Sequence, residues 1–80
     1  MTLSEAVATR IRELLKEKNI TQYRLEQNAG VSHNTMSTLM SGRYKSCKLH
    51  IIVLLIRGLG MTVGEFFSSP IFDDEDLDIE

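Results

Sequence analysis

His33, Asn34, Ser37 and Thr38 form a polar strip on one face of a short helical segment. Each side chain can address the edge of a nucleic-acid base. Asparagine suits the N6/N7 edge of adenine, histidine can donate to N7 or O6 of guanine, and a threonine methyl can pack on the thymine methyl. His33, Asn34 and Thr38 are the leading candidates, with Ser37 as a fourth. No set of nucleophile, base and orienting partner accompanies them, and there is no glycine-rich phosphate loop. Cys47 and His50 share a C-x-x-H spacing, but two ligands do not make a zinc site. The expectation is therefore no enzyme, no metal, no cofactor and no small-molecule substrate.

The strip must be carried by the segment from Thr21 to Arg43, TQYRLEQNAGVSHNTMSTLMSGR. Thr21 is placed as the N-cap of a second helix that ends at Gly30, and Ser32 as the cap of a third that ends near Ser41. Leu25 and Ala29 are four apart, and Met36 and Leu39 three apart, so each pair lies on one face. Val31 sits in the turn and can plug the angle between the helices. Gly30 lets the chain turn without a Cβ penalty. Two amphipathic helices joined by a glycine are common enough, but here spacing and turn composition agree jointly on a helix-turn-helix. In that motif the second helix lies in the DNA major groove.

The remaining elements read as support. Leu3, Val7, Ile11, Leu14 and Leu15 share one face of a helix over residues 3–18, opened by a Thr2/Glu5 capping box. A loop over residues 43–47 leads into a fourth helix near 48–58, with Ile52, Leu55, Ile56 and Leu59 as its core stripe. Gly60 terminates it. Thr62 and Glu65 open a short fifth helix carrying Phe66 and Phe67. Pro70 stops helical structure, with a weak strand possibility at residues 70–72. The expected fold is all-α, a compact five-helix bundle over residues 1–69 followed by an acidic tail over residues 70–80.

Composition sets limits on this reading. Eighty residues with 42% apolar content make one small domain with a workable core. The single cysteine, Cys47, suits a reducing cytoplasm. The longest apolar run, residues 51–56, is far short of the roughly 20 needed to cross a bilayer, and no secretory signal pattern is visible.

These motifs resemble the lambda-repressor-like helix-turn-helix family, of the Cro and repressor type. The residues that carry the likeness are Gln22, Leu25, Ala29-Gly30-Val31-Ser32, Met36, Leu39 and Ser41-Gly42-Arg43, then Leu59-Gly60-Met61-Thr62 and Glu65-Phe66-Phe67. The resemblance covers residues 3–67. It implies a five-helix bundle that binds operator double-stranded DNA as a homodimer, with base contacts at His33, Asn34 and Thr38 and with Gln22 gripping the backbone.

Two departures stand out. Glu26 occupies a position often held by alanine in such motifs and is expected to tilt toward solvent. Leu15 and Met40 stand where many members pair an arginine with a glutamate, and the two are expected to touch; replacing such a pair by apolar groups leaves no charge buried alone.

Phosphate contacts are expected beside the third helix, from Gln22 at a helix N-terminus and from Ser41, Arg43, Tyr44 and Lys45. Lys48 and Arg10 are weaker candidates. The net charge of −2 seems to oppose a nucleic-acid partner, yet residues 73–80 hold six of the eleven acids. Residues 1–72 carry nine Lys/Arg against five Glu, a net of +4. The tail is expected to fray into solvent. On the fourth helix Ile51 and Leu54 occupy positions that resemble outward ones, with Gly58 next along that face, which suggests a self-association surface.

The functional expectation is a cytoplasmic transcriptional repressor. The rival is a protein-interaction module, an antitoxin-like partner with weak DNA binding that lacks sequence preference.

Overall fold

Three threonines and a serine open four of the five α-helices among the described residues by the same local chemistry. Each side-chain oxygen accepts a backbone N–H three residues on, which satisfies one of the donors left orphaned at a helix start. In the computed structural model, which describes residues 1–43 and 48–79, Thr2 caps α1 (Leu3–Lys18) and Thr21 caps α2 (Gln22–Ala29). Ser32 caps α3 (His33–Met40) and Thr62 caps α5 (Val63–Phe67). The capping boxes are complete at both Thr2/Glu5 and Thr62/Glu65. Between them, α4 (Leu49–Gly58) starts at Lys48 without a side-chain cap. The described residues contain no strand, so the fold is the all-α one expected from the sequence.

The core gathers one apolar stripe from every helix. Ile11, Leu25, Met36, Leu39, Leu55, Ile56 and Phe66 are its fully buried large side chains. Met40 is buried in this cluster, and Leu15, half-buried, packs against the cluster as a whole. An α1 arginine does reach position 40, from one turn earlier: Arg12 Nη2 donates to the Met40 carbonyl and ties α1 to the end of α3. Arg10 is likewise used inside the bundle. Its Nε donates to the Phe66 carbonyl at 2.8 Å and its Nη2 to the Glu65 carbonyl at 3.0 Å, filling acceptors at the end of α5.

Two glycines serve opposite needs. Gly30, which ends α2, has φ +68°, and a Cβ there would meet nothing within 4 Å. What it supplies is the left-handed turn itself. Gly58 has ordinary helical geometry, but a Cβ on it would lie 3.0 Å from Ala29 Cβ and 3.1 Å from Ala29 N. It therefore faces α2, not an outward surface as its sequence position suggested. Its hydrogen atom lets α4 close directly on the helix-turn-helix.

The C-terminal segment also departs from expectation. Pro70 does not end helical structure; it opens a 3₁₀ turn, Pro70–Asp73, at whose start a missing N–H costs nothing. Phe72 stacks edge-on to Phe67 at 4.9 Å between ring centres. Further on, the Asp78 carbonyl accepts from Leu3 N at 2.8 Å and the Asp78 N–H donates to the Met1 carbonyl at 3.0 Å, a parallel bridge between Thr2 and Asp78. The tail lies along the bundle, and backbone hydrogen bonds to the start of α1 help to hold it there.

Candidate DNA interface

Caps and core together hold α3 with one face packed and the other open. Met36 and Leu39 bury its inner face, and the turn after Gly30 seats Val31 in the core. Its outer face is then set by helical geometry. His33, Asn34, Ser37 and Thr38 are all exposed, so the structure keeps the four base-reading candidates together on one side. The Thr38 hydroxyl donates to the Asn34 carbonyl at 2.9 Å. Its proton is thus engaged within the helix, and the methyl is the part suited to a base.

The flanking candidates divide. Gln22 is half-buried at the start of α2, and Arg43 is exposed beyond the end of α3. The Ser41 hydroxyl donates to the Thr38 carbonyl at 2.6 Å and accepts from Arg43 N at 3.3 Å, so it shapes the end of α3. Tyr44 and Lys45 lie outside the described residues, as does Cys47. Among the described residues no group of three or more potential metal ligands occurs, and no helix is long and apolar enough to cross a membrane.

The feature that sequence reasoning missed is Glu26. It does not tilt toward solvent; it is 5% exposed and is the one charged residue buried among those described. Two polar partners make this burial tolerable. Gln22 Nε2 donates to Glu26 Oε2 at 3.4 Å, and His33 Nδ1 meets the same oxygen at 3.1 Å. A chain of three side chains therefore runs from the first residue of α2 to the first residue of α3. The i, i+4 spacing of Gln22 and Glu26 was visible in the sequence. The link to His33 needed the turn to be folded.

These features agree with the one comparison that found a match. The model of the Cro/C1-type HTH DNA-binding domain matches residues 10–70, about three-quarters of the chain. The chain belongs to that family. No curated protein and no solved structure matches it. As a Cro/C1-type domain it is a DNA-binding regulatory module, with α2 and α3 as its helix-turn-helix.

Proposed function

We propose that this chain is a sequence-specific transcriptional regulator, a repressor that occupies a two-fold symmetric operator as a homodimer. In this reading α3 enters the major groove, His33, Asn34, Ser37 and Thr38 meet base edges, and Gln22, Ser41, Arg43, Tyr44 and Lys45 grip the flanking phosphates. The observation that carries it is the exposed polar strip of α3, held on a capped and packed helix-turn-helix of the Cro/C1 type. The +4 charge of residues 1–72 favours the same partner. The chain would act where the DNA is, in the cytoplasm.

The homodimer rests on α4. Leu54 is 36% exposed, and Ile51 stands half-buried at the edge of the core. The domain measures 33 × 23 × 20 Å, so two copies side by side can present their α3 helices one helical turn of DNA apart, about 34 Å. Selection of bound sequences from random duplexes tests the whole reading. A two-fold symmetric consensus is expected. Weak binding with no sequence preference would overturn it in favour of a protein-interaction module.

A further inference from the structure

The contact between His33 and Glu26 constrains which base His33 can read. An ionised carboxylate only accepts hydrogen bonds. Glu26 Oε2 already takes an N–H from Gln22, and the ring nitrogen that faces it is Nδ1, at 3.1 Å. In a neutral imidazole one nitrogen carries the proton and the other a lone pair. With the ring neutral and the carboxylate ionised, the proton of His33 therefore belongs on Nδ1, and Nε2, on the far side of the ring, is left as an acceptor. The His33 side chain is 74% exposed, whereas Glu26 is 5% exposed, so the anchoring end is buried and the reading end is open.

We propose that Glu26 is a specificity-determining positioning residue: it fixes His33 in the Nδ1–H form, so that Nε2 reads the amino group of adenine or cytosine in the major groove. Adenine N6 and cytosine N4 are the donors there, whereas guanine and thymine offer acceptors to a hydrogen-bonding side chain. A lone pair on Nε2 faces repulsion from guanine N7 and O6. The inference rests on the DNA-binding function proposed above, and it reverses the guanine preference expected of an unconstrained histidine. Gln22 completes the device by holding the carboxylate from the side of α2.

Two measurements on the full chain test the proposal independently. Long-range ¹H–¹⁵N correlation of the histidine rings, followed upward in pH until the ring shifts no longer change, reads the tautomer of the neutral ring without DNA. His33 is expected as Nδ1–H, with Glu26→Ala moving it toward the Nε2–H form that free histidine favours. Glu26→Gln keeps the volume and serves if the alanine variant fails to fold; its amide can donate to Nδ1, so the Nδ1–H fraction falls. An Nε2–H ring in the wild-type chain overturns the proposal.

Selection from random duplexes then reads the base. The position that loses preference in His33→Ala is expected to be adenine or cytosine, and Glu26→Ala should shift it toward guanine by about tenfold. Guanine at that position in the wild-type chain, or no shift in a folded Glu26 variant, also overturns the proposal. Absence of any sequence-dependent binding would sink the proposed function and the base-reading step with it. The ring spectra would still decide whether Glu26 holds the tautomer.

Discussion

At the scale of single residues, Asn34 and Arg43 are exposed side chains to which the proposed function gives different tasks. Asn34 stands in the first turn of α3, where a bidentate pair with adenine carries sequence information. Replacing it with alanine should remove about 1–3 kcal/mol of discrimination at one base position. Arg43 follows the end of α3, and in that reading its guanidinium would pair with a phosphate, a contact that carries no sequence information. Arg43→Ala should weaken every duplex alike and lower the slope of log affinity against log salt by about one. Anisotropy titrations on the selected site and a scrambled duplex, at several salt concentrations, separate the two. Equal losses on both duplexes for Asn34→Ala would remove it from the base-reading set. The outward strip was legible in the sequence because helical spacing alone decides which residues share a face. The burial of Glu26 was not, because its compensating partner His33 lies across a turn.

At the scale of elements, the capping boxes were legible because cap and partner are three residues apart. They also carry a pH dependence. Backbone hydrogen bonds to Thr2 and Thr62 hold the carboxyls of Glu5 and Glu65 below their ordinary value of 4.5. The unfolded chain then binds these protons more readily than the folded one. The stabilisation is fully present above about pH 4.5 and is lost as pH falls through the lower folded values. Urea unfolding between neutral pH and about pH 3 should show this loss. The double variant Glu5→Gln, Glu65→Gln keeps acceptor oxygens without titrating, so its acid limb should be flatter; an unchanged limb would argue that other carboxylates dominate.

The contact of α4 with α2 was not legible, since nothing in the sequence says which face of Gly58 meets another backbone. Gly58→Ala should lower stability by about 1–2 kcal/mol, because overpacking against Ala29 outweighs the gain in helix propensity. A Cβ on Gly64 in α5 would meet the Thr62 hydroxyl oxygen at 4.0 Å, an ordinary contact, so Gly64→Ala should raise stability by about 0.5 kcal/mol. Equal effects of the two substitutions in urea melts would contradict the close approach.

At the scale of the whole molecule, charge and connectivity meet in the tail. The sequence showed where the acids are, but not the backbone hydrogen bonds that join Asp78 to Met1 and Leu3. Ending the chain after Asp73 separates the two contributions. It removes Asp74, Glu75, Asp76, Asp78 and Glu80, taking the net charge from −2 to +3. It leaves Phe72 on its ring partners Phe66 and Phe67. It also strips Leu3 N–H, one of the orphan donors at the start of α1, of its Asp78 acceptor. The stability loss should be about 1–2 kcal/mol, the worth of one or two backbone hydrogen bonds. DNA affinity should move the other way. A chain repelled less by phosphate binds any duplex more tightly at low salt, and the gain should shrink as salt shortens the screening length to about 8 Å at physiological strength. Parallel urea melts and salt-dependent DNA titrations on the truncated and full chains measure both. Unchanged affinity at low salt would show that the tail's charge does not reach the DNA face and that its role is confined to pinning α1.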